Sequence, residues 1–305
     1  MGRRMLAVVG LASALGVARP LVGQTKPVLL SIRPRVGDTL RTRFEQIVRA
    51  TGPVRAASKG TGKGATTGAA GAPVTRASSM QVVSRSGIER RDALGTIVLA
   101  ITDSVSFQMP GVDPSTIAAA QQSMRGRRAR MRVTTAGGME LLDAPAPAVG
   151  RAAPPAGRDT PHGAAVPLES EQAFARLPGT LPEGPVAVGT TWTREMALPW
   201  TGDAPVPTGG RVEVLFRLDS LRGGNYAYVS MHGSLARSAG VRGGGRVTTQ
   251  GKMDGQLLVD LRRGWMTDSH ATFTMVSTFT PPGTGANVKP VQLSLTITQT
   301  LRCDP

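Results

Sequence analysis

Cysteine is almost absent from this sequence of 305 residues, in which Cys303 is the single example. With no second cysteine, no disulfide can form within the chain, so an ordinary packed core must supply its stability. Three interpretations of Cys303 stay open: a terminal thiol without a role, a link between two chains, or an exposed reactive thiol.

Aromatic residues are also scarce, at 4 % of the chain, and they are unevenly distributed. All three tryptophans and both tyrosines lie at or after Trp192, while only Phe44 and Phe107 precede Phe174. Because aromatic side chains bury large areas, we expect the second half to hold the sturdier core, with its tryptophans packed inside it.

Long apolar runs are missing beyond the first residues, so the sequence predicts no transmembrane segment in the mature chain. Residues 1–24 have the layout of a secretory signal peptide, with Arg3 and Arg4 followed by an apolar stretch from Met5 to Val17 and then small residues. The sequence therefore predicts an exported protein, periplasmic or secreted after cleavage of the signal.

Acidic residues are few, with 20 Asp and Glu against 36 Lys and Arg, which gives a net charge of +16. Such an excess favours association with polyanions, although it carries no information about the fold. The densest cluster of positive charge is the run RGRRARMR at Arg125–Arg132.

If residues 129–135 form a strand, then Arg128, Arg130 and Arg132 project from one face. Guanidinium groups in such a row can hold phosphates or other anions, so we predict an anion-binding face there. The alternative is a solvated surface without a ligand. A nucleic acid is not expected as the partner, because neither stacking aromatics nor a reading helix lies nearby.

Two segments have too few large apolar residues to build a core. Residues 55–79 consist almost wholly of Gly, Ala, Ser, Thr and cations, and residues 144–167 are rich in Pro and Ala. We predict a flexible insert and a Pro/Ala linker. They divide the mature chain into a first β-rich unit, 25–143, and a second β-rich unit, 168–305.

Elsewhere, apolar and polar residues alternate with a period of two, which is typical of half-buried strands. The clearest stretches are Val212–Leu218, Ala227–Met231, Ala271–Met275 and Val291–Ile297. The predicted fold class is mainly β: two β-rich half-barrel or curved-sheet units with one or two short helices and flexible linkers.

Helix signals are confined to two places. Asp113 is a suitable N-cap and Pro114 a suitable first residue for a helix in which Ile117 and Met124 share a face. A shorter helix is predicted over Glu169–Arg176.

Two short phrases occur twice in the chain. VGDT at Val36–Thr39 and VGTT at Val188–Thr191 each follow shortly after a proline and open a predicted strand. Gly137 and Gly264 each lie in a strand–turn–strand phrase with a nearby methionine. Two explanations stay open: an internal duplication of one β-rich unit, or chance matches in a chain that contains 38 glycines.

The signal peptide together with VGDTLRTRFEQ, LPEGPVAVGTTW and GQLLVDLRRGWM resembles a family of uncharacterised exported bacterial β-proteins. Five positions of the family's motifs match: Val188, Gly189, Trp192, Asp260 and Gly264. Thr190 stands where the family usually has aspartate. The resemblance implies export and a β fold and carries no activity. A looser likeness in architecture, to the half-barrels of periplasmic lipoprotein carriers, does not establish function.

Motifs for catalysis are incomplete. The glycine-rich stretch around Lys63 continues with Gly64 where a phosphate-binding loop needs Ser or Thr. Ser269 and His270 are adjacent, and adjacent residues of a strand point to opposite faces. HExxH and CxxC patterns are absent, so we assign no catalytic residue, metal or cofactor.

The leading hypothesis is a non-enzymatic exported protein that binds an apolar or anionic ligand of the cell envelope, such as a lipid, a polypeptide or an anionic component. One alternative is a hydrolase or metal-dependent enzyme, in which His232 and His270 would lie within about 4 Å of a shared carboxylate, Asp254 or Asp268. Another is a structural or interaction module that docks a partner at a sheet edge.

Overall fold

The computed structural model describes residues 26–53, 73–142, 179–197, 211–242, 245–280 and 290–304. The first half contains β1 (Thr39–Pro53), β2 (Pro73–Arg91), β3 (Thr96–Gln108), α1 (Pro114–Met124), β4 (Arg128–Val133) and β5 (Met139–Leu141). The second half contains β6 (Thr191–Ala197), β7 (Arg211–Arg222), β8 (Tyr226–Arg242), β9 (Gly245–Asp260), β10 (Trp265–Thr280) and β11 (Val291–Asp304).

These strands form one open antiparallel sheet in the order β5-β4-β3-β2-β1-β11-β10-β9-β8-β7-β6. The prediction of a mainly β protein is confirmed. The two halves contribute to a single sheet, because β1 pairs with β11 from Arg41–Asp304 to Thr51–Ser294.

The alternation of apolar and polar residues identifies the buried face of the sheet, as predicted. Val212, Val214, Phe216 and Leu218 on β7 are at most 1 % exposed. Inward residues of β8 to β11 are also buried, and their side chains join one hydrophobic cluster. That cluster extends into the first half through β2, β3 and β4, so one core serves both halves.

The chain before β1 crosses one end of this core. We call residues 28–33 the strap. Leu30 and Ile32 are 1 % and 5 % exposed, so the strap closes the core at this end. Its backbone bonds to both halves: Ile32 N donates to Thr135 O at 2.8 Å, and Arg33 N donates to Gly264 O at 2.7 Å.

The two Val-Gly phrases have the same backbone structure. Gly37 and Gly189 have φ angles of 90° and 89°, a left-handed conformation that suits glycine. Gly37 N donates to Ile88 O at 2.9 Å, and Gly189 N donates to Leu218 O at 2.7 Å. A β-bulge follows Ile88 in β2 and Leu218 in β7. The repeated phrase therefore serves the shape of the sheet, since each copy turns the chain into a strand.

The helix predicted after Asp113 is confirmed. Asp113 accepts a hydrogen bond from Ser115 N at 2.6 Å, Pro114 is the first residue, and Met124 is buried. The hydrogen bonds from Ser115 lower the pKa of the Asp113 carboxyl. The second predicted helix, Glu169–Arg176, lies outside the described residues, as do the signal peptide 1–24 and the Pro/Ala linker 144–167.

The predicted flexible insert, 55–79, is wrong in its last part. Residues 73–79 belong to β2 and pair with the end of β1, where Thr51 and Thr75 share a hydroxyl hydrogen bond of 2.8 Å. The segment has little apolar surface of its own, but the backbone ladder with β1 stabilises it as a strand. Residues 55–72 lie outside the described residues.

Candidate functional site

Arginine side chains project from the outer face of the sheet, opposite the core, on β11, β1, β2 and β4. We call this set the arginine face: Arg41, Arg43, Arg85, Arg128, Arg130, Arg132 and Arg302. It contains the three arginines predicted from the sequence and extends well beyond them.

A row of this face runs across four neighbouring strands. Arg41 lies opposite Arg85, Arg85 lies opposite Ile101, and Ile101 lies opposite Arg128. Directly opposed residues share a face with their Cβ atoms about 5 Å apart. The strand register therefore gathers guanidinium groups that lie far apart in the sequence.

The three predicted arginines share the outer face of β4, but they differ in their partners. Arg130 forms two hydrogen bonds to Glu89, at 2.8 and 3.2 Å. Arg128 is exposed and has no acidic partner among the described residues. Arg128 is thus the one of the three that has no acidic partner within the described ranges.

Arg132 is the most buried of the three, with its side chain 19 % exposed. It donates to Glu140 at 3.0 Å and to Asp92 at 3.3 Å. The bond to Glu140 is the main reason that the pKa of Arg132 is raised. The pKa of Asp92 is lowered, first by the backbone N–H of Leu94. Arg132 therefore acts chiefly as a bridge between two carboxylates.

The remaining arginines of the face are also partly paired. Arg85 contacts Asp103 at 2.8 Å, and Arg302 contacts Asp268 at 3.6 Å. Arg43 lies directly opposite Arg302, yet it has no acidic partner in the described part of the chain. Like charges placed opposite each other on a sheet are unfavourable, so an anion bound here would relieve a repulsion.

The histidines of the enzyme alternative do not share a carboxylate. His232 Nδ1 lies 3.0 Å from Asp254 Oδ1, whereas the nearest side-chain partner of His270 Nδ1 is Thr300 Oγ1, at 3.2 Å. Strand β9 separates the strands that carry them. Within the described ranges, no group of three His, Cys, Asp or Glu side chains could hold a metal ion.

Two open clefts stand out on the described surface. One, of about 410 Å³, is lined by arginine, threonine, glutamine and valine side chains of β9, β10 and β11. The other, of about 360 Å³, lies beside the strap and is lined by Arg35, Arg262, Arg263 and Trp265 among others. Sequence reasoning missed the second cleft, because its residues come from three separate segments.

Two of the tryptophans are integrated into the fold. Trp192 stacks on Phe216 with ring centres 5.8 Å apart, and its indole N–H donates to Thr180 O at 2.7 Å. Trp265 is partly buried and packs against the core cluster. Trp200 lies outside the described residues.

Cys303 is not an exposed thiol. It is 6 % exposed on β11 and lies 3.5 Å from the hydroxyl of Thr42. The interpretation as an exposed reactive thiol is wrong, because β11 continues to Asp304 and pairs with β1 over this length, which buries Cys303.

The described part of the chain includes no helix with the length and hydropathy of a bilayer crossing. In comparisons with known proteins, no family model matches the chain. No curated protein matches it either. The resemblance to a family of exported β-proteins therefore stays a prediction from the motifs.

Proposed function

We propose that the protein is exported and binds an anionic, phosphate-bearing component of the cell envelope through the arginine face, without catalysis. The observation that carries this proposal is the row in which Arg41, Arg85 and Arg128 are brought together by strand register. Guanidinium groups match phosphate geometry with paired N–H donors, and a row of them suits a repeating or surface-bound anion.

The pattern of ion pairs supports a binding role for this face. Arg130 and Arg132 are held by carboxylates, which fixes the framework of the face, while Arg43 and Arg128 keep their charges available. Arginines whose only role is structural would be expected to have acidic partners, and these two have none among the described residues.

The apolar version of the binding hypothesis has less support. The interior is filled by core side chains, with Leu30 and Leu181 at 1 % and 2 % exposure. Both clefts are open and include charged or polar lining residues. An anionic ligand on the outer face is therefore the better match to the described surface.

Vesicle binding tests the proposal. The protein should bind vesicles that contain an anionic phospholipid and should not bind neutral vesicles, and added salt should weaken the binding. Since each arginine near an anionic surface contributes about 1 kcal/mol, Arg43→Gln with Arg128→Gln should weaken binding by roughly tenfold or more. Co-sedimentation over a salt series measures this.

The matched control removes the same charge elsewhere. Arg246→Gln with Lys252→Gln takes two exposed cations from β9 and should change binding by less than about threefold. Equal losses in both double variants would show that net charge alone drives binding and would overturn the assignment to the arginine face. Salt-independent binding would overturn the electrostatic mechanism itself.

A further inference from the structure

We infer that the cleft beside the strap is a second, separate site, which binds a small organic anion carrying a phosphate or carboxylate on a planar apolar group. It lies at the end of the sheet, between the residues that follow the strap, Pro34 and Arg35, the start of β1 and the β9–β10 turn. The inference does not depend on the arginine face.

The walls of the cleft are fixed by backbone contacts. Arg33 N donates to Gly264 O at 2.7 Å, which attaches the strap to the β9–β10 turn. Arg91 Nη2 donates to Pro34 O at 2.6 Å, which holds the next residue from the other side. The cleft is therefore formed before any ligand arrives, as small-molecule sites usually are.

A buried carboxylate organises the turn that carries two of the arginines. Asp260 is 2 % exposed, and its Oδ1 accepts from Arg262 N at 2.9 Å and from Arg263 N at 3.0 Å. Its Oδ2 lies 3.8 Å from Arg263 Nε. The turn therefore holds both arginine side chains at the cleft, and one of them is already oriented by Asp260.

The cleft has more positive charge than the protein neutralises. Arg35 and Arg262 have no acidic partner within the described ranges, and Asp38 is the only acid among the lining residues. Because Asp260 offsets the charge of Arg263, the guanidinium groups of Arg35 and Arg262 are the two whose repulsion is left uncompensated. A bound anion with two or more oxygen atoms would reduce that repulsion and accept several N–H bonds.

Trp265 supplies an apolar wall beside these charges. Its ring is partly buried and packs against the core cluster. Leu40 and Pro34 also line the cleft. A planar apolar group could therefore stack on the indole while its anionic end meets the arginines.

The β4–β5 and β9–β10 turns, which carry the similar phrases around Gly137 and Gly264, differ at the residues that line the cleft. Met139 lies opposite Val133 in the β4–β5 pair, and Met266 lies opposite Val259 in the β9–β10 pair. Aligned on these methionines, the first turn has Thr135, Ala136 and Gly138 at the positions of Arg262, Arg263 and Trp265.

The two turns also differ in what lies beside them. Ala136 O accepts a hydrogen bond from Leu181 N at 2.9 Å, so a buried leucine segment lies over the β4–β5 turn. At the second turn, the arginines and the indole border the open cavity of about 360 Å³. This volume falls in the range of about 300–1,000 Å³ that small-molecule sites occupy.

Titration with small probes tests the inference, with calorimetry and tryptophan fluorescence as readouts. Phenyl phosphate or benzoate should bind with a dissociation constant below about 1 mM, and the stronger of the two identifies the anionic group. Inorganic phosphate should bind at least about tenfold more weakly, and benzyl alcohol should not bind, because each lacks one half of the proposed ligand.

Variants then locate the site. Arg35→Gln with Arg262→Gln should weaken binding of the better probe by about tenfold or more, and Trp265→Phe should remove most of the fluorescence change. Arg246→Gln with Lys252→Gln is the control and should change it by less than about twofold. Circular dichroism and thermal unfolding confirm that each variant is folded.

The outcomes separate this site from the arginine face. Absence of saturable binding by phenyl phosphate and by benzoate overturns the inference, as does equal weakening in the two double variants. Vesicle binding that persists in Arg35→Gln with Arg262→Gln leaves the function of the arginine face standing on its own. Loss of vesicle binding only in the Arg43 and Arg128 variant shows that the two sites act separately.

Discussion

Cys303 is the residue whose chemistry the fold controls most directly. Burial raises the pKa of its thiol, and this outweighs the hydrogen bonds from Thr42 and Trp265, which lower it. Because the thiolate is the reactive form, the native protein should react slowly with thiol reagents. At pH 8, we expect labelling to be on the order of 100-fold slower in the native protein than in denaturant, as measured with a chromogenic disulfide reagent.

The raised pKa of Cys303 also fixes the direction in which the stability of the protein changes with pH. The unfolded chain loses the thiol proton at a lower pH than the native chain does, so this contribution to stability is fully present below the unfolded thiol's pKa. It is lost as pH rises through the native value. Cys303→Ser should remove the labelling signal and this alkaline component. Fast labelling of the native protein at pH 8 would contradict the buried position.

At the scale of elements, the strap covers one end of the hydrophobic core, so its buried side chains should contribute to the stability of the fold. Leu30 and Leu29 are adjacent in sequence, but Leu30 is 1 % exposed and Leu29 is 44 % exposed. Leu30→Ala should therefore lower the free energy of unfolding by about 2–5 kcal/mol, the usual cost of removing a buried leucine side chain. Leu29→Ala should change it by no more than about 0.5 kcal/mol. Urea denaturation of both variants measures the difference, and similar losses would refute the role of the strap.

The strap and the strands differ in how far the sequence predicts them. The faces of β7 were predictable, because a sheet buried on one side imposes a period of two, and Val212–Leu218 follow it. The strap shows the same alternation over a short stretch, with Leu30 and Ile32 buried and Leu29 exposed, but this pattern does not predict where the segment docks. It is fixed by backbone hydrogen bonds, two to Val186 and one each to Thr135 and Gly264, which depend on the assembled sheet. Residues 73–79 were missed for a related reason, because pairing with β1 stabilises them.

The candidate sites also combine features that local sequence spacing predicts with features that only the assembled sheet produces. The common face of Arg128, Arg130 and Arg132 was predictable from local spacing alone. Their acidic partners were not, because Glu89 meets Arg130 across the intervening strand β3 and only through the register of three strands. The cleft was less predictable still, since the residues that follow the strap, the start of β1 and the β9–β10 turn have no common pattern in the sequence.

At the scale of the whole molecule, the pairing of β1 with β11 joins the two halves into one cooperative structure. The ladder is continuous over eleven residue pairs, and Val98 of the first half belongs to the same hydrophobic cluster as Phe216 of the second. Tryptophan fluorescence reports the second half, which contains every tryptophan, while far-ultraviolet circular dichroism reports the whole sheet. The two probes should therefore give coincident denaturation curves.

Val98→Ala provides the sharper test of this cooperativity. Val98 is 1 % exposed, so its truncation should cost roughly 2 kcal/mol, although it lies far in sequence from any tryptophan. If the halves unfold together, the midpoint seen by fluorescence shifts by as much as the midpoint seen by circular dichroism. Val214→Ala in β7, at 0 % exposure, is the matched variant in the second half and should shift both probes equally. A fluorescence midpoint that stays unchanged in Val98→Ala would mean that the halves unfold independently, and that β1–β11 pairing does not couple them.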